Sequence, residues 1–265
     1  MSYFGELRSL LHETPSKKVW RALCRVLEEM AQEEEGFGQQ TLPYVERHLN
    51  RWPEDLRLCP NSWIWDYVLH GKSPSFLKVV RTVELPSFGR DTEYNAGYLR
   101  AWCEAEAWRQ VTRVRWETPF GTLRLLDILL HSTLGQDLEA LALRSSSWGD
   151  ELLQQLAQSE SLGQLKQLSL ENVSVTSLGL SRFVRRIEWP RLQGLALSAW
   201  RWGPTGVEEL LEKFSLRSLS LTCREGADDV VEAISGHPGA SSLRSLTVGT
   251  RRQHGLRGLA GAEHF

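Results

Sequence analysis

Seven times along the chain an apolar residue is followed by two more, three and five positions later. The sets are Val80/Val83/Leu85, Val111/Val114/Trp116, Leu138/Leu141/Leu143, Leu165/Leu168/Leu170, Leu192/Leu195/Leu197, Leu216/Leu219/Leu221 and Leu243/Leu246/Val248. Their first positions are spaced by 31, 27, 27, 27, 24 and 27 residues. A near-constant period dictates an array of like units, so it outranks local propensity as a guide to the fold. Within each set, apolar and polar residues alternate over the last positions, the period of a short half-buried strand.

Between the strand-like pieces lie stretches with apolar residues at helical spacing. Asp150 to Ala157 carries Leu152, Leu153 and Leu156; Thr176 to Ile187 carries Leu180, Phe183, Val184 and Ile187. Val207 to Phe214 and Asp228 to Ile234 repeat the pattern, and Asn95 to Gln110 and Leu123 to His131 fill the same place earlier. Each unit is therefore one strand and one helix. One unit cannot bury its apolar face alone, whereas stacked units form a continuous core. Strands that all run the same way after each helical return pair in parallel.

This strand-and-helix repeat resembles the leucine-rich repeat family over residues 76 to 265. The period near 27 and the turn-to-helix stretch from Gly203 to Leu211 are similar to its ribonuclease-inhibitor-type branch. The resemblance implies an α/β solenoid of about seven repeats, with parallel strands concave and helices convex. The family usually places Asn or Cys three residues after the third apolar position, where it bonds adjacent turns. Here Ser146, Val173, Trp200, Arg224 and Arg251 stand there, so the turns leaving the strands are expected to be irregular.

Residues 1 to 75 lie outside the repeat and read as a helical N-terminal cap, which would cover the apolar end of the first unit. Helices are expected over Tyr3 to His12, Lys17 to Glu34 with Ser16 as cap, Leu42 to Trp52 and Asn61 to His70. The stretches 52–57, 60–63 and 76–80 are similar to N-terminal regions of some bacterial leucine-rich repeat proteins, which suggests a bacterial source.

Net charge is −2 with a pI near 6.4, so nothing argues for nucleic-acid binding. The four cysteines (Cys24, Cys59, Cys103 and Cys223) form no C-x-x-C pair, and the first residues lack a secretory signal. Unbridged thiols in a reducing cytoplasm are the expectation. No stretch has the ~20 apolar residues of a membrane helix. Most of the 11 tryptophans, Trp20, Trp63, Trp65, Trp102 and Trp108 among them, are expected in the core, with one or two as exposed anchors.

Catalytic signatures are missing. There is no G-x-x-x-x-G-K-[ST], no H-E-x-x-H and no G-x-S-x-G, and the seven histidines are scattered without metal-ligand spacing. The reading is a non-enzymatic protein without cofactor or metal. The residues between the apolar strand positions face the other way and build the concave surface. Its early rows are charged with mixed sign, and its late rows are small with an Arg at one edge. Arg113, Arg115, Glu117, Arg144, Lys166, Glu171, Arg217 and Arg244 are the candidate partner-binding residues, with Arg113, Arg115, Glu117 and Arg144 as the centre. A charge ladder satisfied within the sheet is the competing explanation. Seven strands give a strip of about 400 Å², against about 800 Å² per partner in an ordinary interface. A protein partner must then also touch the rims.

The expected function is a protein-interaction module or scaffold. The alternative is a regulator that inhibits or activates a partner enzyme such as a nuclease or small GTPase. Leu256 and Leu259 offer only thin cover for the last strand, and a bare parallel edge is a template for self-association. From Ser241 onward the charge is +3, through Arg244, Arg251, Arg252 and Arg257 against Glu263.

Overall fold

The computed structural model describes residues 3–33, 36–64, 75–85, 87, 91–105, 108–118, 122–145, 148–199, 202–223 and 225–250. Every return of the apolar pattern is a strand: β1 (Thr82–Leu85), β2 (Arg113–Glu117), β3 (Ala140–Arg144), β4 (Gln167–Val175), β5 (Gly194–Ala199), β6 (Ser218–Cys223) and β7 (Ser245–Thr250). They are sequential parallel strands that follow chain order in the sheet. Helices alternate with them, and a helical region precedes them. The fold is α/β, the arrangement of a leucine-rich-repeat-like solenoid.

The chain forms two compact units, Met1–Glu84 with Glu104–Val114, and Leu85–Cys103 with Arg115–Phe265. In the first unit, α1 (Tyr3–His12), α2 (Lys17–Glu33) and α3 (Thr41–Leu49) pack by the faces their spacing predicts. α2 buries Val19, Trp20, Leu23, Cys24, Val26, Leu27 and Met30, and the Ser16 hydroxyl accepts from the Val19 N–H at 3.2 Å as its cap. α3 stops at Leu49, and Trp52 follows in a turn closed by its own N–H on the Leu49 carbonyl. Residues 61–64 are helical; the rest of the helix expected to His70 lies outside the described residues.

One rung of this unit has no apolar triplet behind it. Leu58 bridges in parallel to Thr82, and the Arg57 carbonyl accepts from the N–H groups of both Arg81 and Thr82 at 3.1 Å. Arg57 is buried, its Nε donating to Val79 O at 2.7 Å and its Nη1 to Leu49 O at 3.4 Å. Burial, then the charge of Arg81, pushes its guanidinium down to about 10. Residues 104–114 also belong here. The helix expected to run from Asn95 to Gln110 ends at Cys103, and Trp108 and Val111 instead close consecutive turns onto Ala105 O and Trp108 O. Those turns bury Ala105, Trp108 and Val111 together.

In the second unit, α4 (Glu93–Cys103), α5 (Leu123–Leu130), α6 (Asp150–Gln158), α7 (Ser177–Arg186), α8 (Pro204–Lys213) and α9 (Ala227–Ser235) lie between the strands. The register aligns Leu141, Leu168, Leu195, Leu219 and Leu246 in one column. Leu143, Leu170, Leu197, Leu221 and Val248 form the next. Burying one such side chain contributes about 1.5–3 kcal/mol, so these columns and the equally buried helix faces together stabilise the array.

The missing Asn ladder is replaced by links between helix N-termini. The Thr122 hydroxyl caps α5 by accepting from the Leu125 N–H and donates to Asp91 at 2.7 Å. Thr176 caps α7 by accepting from the Gly179 N–H, and Asp150, at the start of α6, accepts from the Thr176 N–H at 2.7 Å and hydroxyl at 2.6 Å. Ser177 Oγ then accepts from the Gly203 N–H at the start of α8, at 2.7 Å. A Cβ at 179 would lie 2.0 Å from Asp150 Oδ1, so any side chain there must push the Asp150 carboxylate out of this link. Ser161 and Ser242 hydroxyls extend the scheme, donating one repeat back to Leu130 O and Leu216 O at 2.8 Å. The strand exit is irregular where Val173 stands in the ladder position: β4 runs on to Val175 with a register shift after Leu170, and Asn172 takes φ 54°. Ser146, Trp200, Arg224 and Arg251 lie outside the described residues, as do Leu256, Leu259, Arg252 and Arg257.

Among the described residues no helix is long and apolar enough to cross a membrane. All four cysteines are buried and none is in a disulfide.

Candidate functional site

The face of the sheet opposite the helices in the second unit is built by the residues between the leucines. One column runs Ala140, Gln167, Gly194, Ser218, Ser245, and the next Ala142, Ser169, Ala196, Ser220, Thr247. Both columns are made mostly of small residues, so the open face is low in relief at its centre. Charge sits along its margins.

At one margin the backbone itself forms a ladder. The carbonyls of Glu139, Lys166, Gln193 and Arg217 each accept from two successive N–H groups of the next rung, at 2.7–3.1 Å. Their side chains, with that of Arg244, make a column that changes character along its length. Lys166 Nζ donates to Glu139 Oε1 at 2.6 Å. Gln193 follows as a neutral residue. Arg217 and Arg244 then stand on adjacent rungs, both exposed, with no partner for either guanidinium among the described residues.

At the other margin Arg144 lies 3.5 Å from Glu117 and is register-paired with Glu171. Glu171 also accepts from the Ser169 hydroxyl at 3.4 Å. Arg115 is half-buried on β2. In the first unit, Arg113 is half-buried and 3.8 Å from Glu54, which also accepts from the Thr112 hydroxyl at 3.1 Å. The candidate residues therefore fall into two sets. Arg113, Arg144, Glu117, Lys166 and Glu171 are drawn into pairs or hydrogen bonds, whereas Arg115, Arg217 and Arg244 have no partner among the described residues.

Beside those two arginines lies a cleft of about 760 Å³, bounded by the segments 187–193, 213–217 and 242–244. Ile187, Trp189, Leu192 and Phe214 form its apolar floor, each nearly covered by neighbours. Lys213, Arg217 and Arg244 stand at its rim with Glu188. Lys213 Nζ donates to Arg185 O at 3.1 Å and lies 5.9 Å from the Phe214 ring centre. No motif announces Lys213, Phe214 or Trp189 as site residues. The sequence signal that does mark the place is the one short repeat, 24 residues from Leu192 to Leu216. A 3-10 turn precedes Leu165 at Glu160–Gln164 and Leu243 at Pro238–Ser242, and a turn closed by the Leu192 N–H on Trp189 O precedes Leu192, but α8 runs almost directly into Leu216.

The nine described tryptophans are all buried, at most 6% exposed, so none of them serves as a surface anchor; Trp65 and Trp200 lie outside the described residues. The reason is geometric: they occupy the core positions of helices, strands and turn entries, as Trp102, Trp116 and Trp202 do. Among the described residues no cluster of three or more His, Cys, Asp or Glu is placed to hold a metal ion. Burial pushes the thiols of Cys24 and Cys59 well above the ordinary range, which keeps them protonated and poor nucleophiles.

No family model matches the chain, and a search of the curated proteins finds no match.

Proposed function

We propose that this chain is a leucine-rich repeat protein of the ribonuclease-inhibitor type that works as a non-enzymatic protein-binding module. The open face of its sheet is the binding surface, and Arg115, Glu117, Arg144 and Glu171 are its polar contacts. The observation that carries the reading is the division of labour within each rung. Apolar columns face the helices and are buried through β6, while the alternate side chains are mostly small, polar or charged and line the opposite face of the parallel ladder. Such a surface presents fixed hydrogen-bonding groups at low entropic cost to a partner. The face is smaller than a standard interface, so the partner also reaches a margin of the sheet.

The test reverses charge on the open face with Arg115→Glu plus Arg144→Glu, after circular dichroism has shown that the variant folds. Wild type and variant are used to capture partners from native lysate of the source cell. A partner held by wild type and lost by the variant supports the reading. If the two proteins capture the same set, the open face is not the binding surface.

A further inference from the structure

We propose that the cleft between the segments 187–193, 213–217 and 242–244 binds a short acidic peptide segment of a partner protein, its carboxylates held by Arg217 and Arg244. The inference rests on the protein-binding reading above and adds the partner's chemistry and a second place of contact.

Three observations carry it. The first is a charge arrangement that the fold alone does not account for. Arg217 and Arg244 occupy the same ladder position on adjacent rungs, joined through Arg244 N–H on Arg217 O at 2.8 Å. Like charges placed side by side in a sheet destabilise it, and two rungs earlier the same column resolves its charge as the Glu139–Lys166 pair. An anion between the two guanidiniums removes that repulsion, and each guanidinium can hold a carboxylate by two parallel hydrogen bonds.

The second is the cleft itself. At about 760 Å³ it falls within the range of ligand-holding clefts. It has an apolar floor of Ile187, Trp189, Leu192 and Phe214 beside a cationic rim. Because those four side chains are nearly covered, the cationic rim supplies most of the recognition, which suits a peptide rich in carboxylates. It opens where the repeat is three residues shorter than its neighbours on either side, so it is a local departure from the array.

The third observation separates a peptide from a nucleic acid. Beyond the cleft the same sheet face carries Glu117, Glu139 and Glu171, Glu188 stands at the rim, and the chain as a whole is acidic. A long polyanion laid along the sheet would run onto these carboxylates. Of these, a short acidic segment ending in the cleft meets only Glu188, against the three cations Lys213, Arg217 and Arg244.

The experiment is fluorescence anisotropy on the purified full chain at low salt. The probe is a labelled octapeptide of glutamates around a central tyrosine. Its glutamine counterpart and a single-stranded oligonucleotide of equal charge are the comparisons. The expected result is binding of the acidic peptide, none of the glutamine peptide, and weakening with added salt. Arg217→Glu plus Arg244→Glu is expected to weaken binding at least tenfold, while Lys17→Glu plus Lys18→Glu, an equal charge reversal on exposed residues of α2, binds as wild type does. Both arginines are exposed, so thermal melting should show the cleft variant folded. Undiminished binding by the cleft variant, or no binding by wild type, overturns the inference. Tighter, cleft-dependent binding of the oligonucleotide overturns it too, by making the cleft a general polyanion site. Loss of peptide binding in the open-face variant, Arg115→Glu plus Arg144→Glu, alone would overturn the cleft and still support the open face. The capture experiment uses no peptide, so failure here leaves the broader reading to be judged on its own result.

Discussion

In β4, Leu168 and Leu170 are sealed at 1% and 0% exposure; at the register-matched place in β7, Leu246 is half-buried and Val248 is 8% exposed. The residue types are nearly the same, and so is the spacing. What differs is the neighbourhood. β4 has a paired strand on each side, while β7 has β6 as its only described neighbour. The apolar triplet therefore specifies which way a side chain points, and adjacent rungs specify how well it is buried. That is the behaviour expected of a repeat array, in which stability is the sum of each unit and its interfaces with the next.

The sharpest way to break the comparison is to remove the same side chain from both rungs. Leu168→Ala should cost about 2–5 kcal/mol, because its site is fully enclosed and can collapse only in part. Leu246→Ala should cost less than half as much. Urea unfolding of the two variants beside wild type measures the difference. Equal losses would mean that β7 is as well covered as β4, and the distinction between centre and end would fall.

The helix starts differ in the same direction. α7 begins with Thr176 locked to Asp150 by two hydrogen bonds, whereas α9 begins at Gly226 with no side-chain cap. Asp150→Ala leaves the Thr176 N–H without its partner and should cost about 1–2 kcal/mol. Hydrogen exchange would show faster exchange over the first turn of α7, bringing it toward the behaviour of α9. An unchanged exchange pattern would show that the link between α6 and α7 adds nothing to the cap that Thr176 already supplies.

Much of this architecture can be read from the chain because it depends on two strong periods: alternation within strands and 27 residues between them. Every triplet became a strand, and the helix faces over 150–157 and 176–187 are the buried ones. The rung at Arg57–Cys59 escapes such a reading. It is held by backbone bonds to Arg81 and Thr82 and carries a buried arginine where a leucine would be the signal. The cross-repeat caps escape for another reason. Asp91, Thr122, Asp150 and Thr176 each read as an ordinary local cap, and only the stacking of helices brings each Asp to the next Thr. The charged face was half legible. Which residues are outward follows from alternation, but the pairing of Arg144 with Glu117, against the unpaired Arg217 and Arg244, depends on register and on rotamers.

The smallest expected effect concerns the contact between α7 and α8, which α9 cannot reproduce because it carries no basic residue. Arg185 on α7 donates to Glu209 on α8, and the Ser181 hydroxyl donates to the same carboxylate. These bonds, that of Arg185 first, hold the Glu209 carboxyl below its ordinary value near 4.5. A carboxylate lowered in the folded state contributes stability above its unfolded value, and that contribution is lost as pH falls through the folded value. Glu209→Gln should therefore lower the melting temperature slightly at pH 7. The gap to wild type should narrow as pH falls through about 4.5, where an ordinary glutamate is half protonated. The pair is exposed on the arginine side, so the effect at pH 7 should be no more than a degree or two and should shrink in high salt. Melting curves of both proteins between pH 3 and pH 7 provide the check. A gap that stays constant down to the lowest pH would mean that Glu209 acts through packing against α7 and not through its charge.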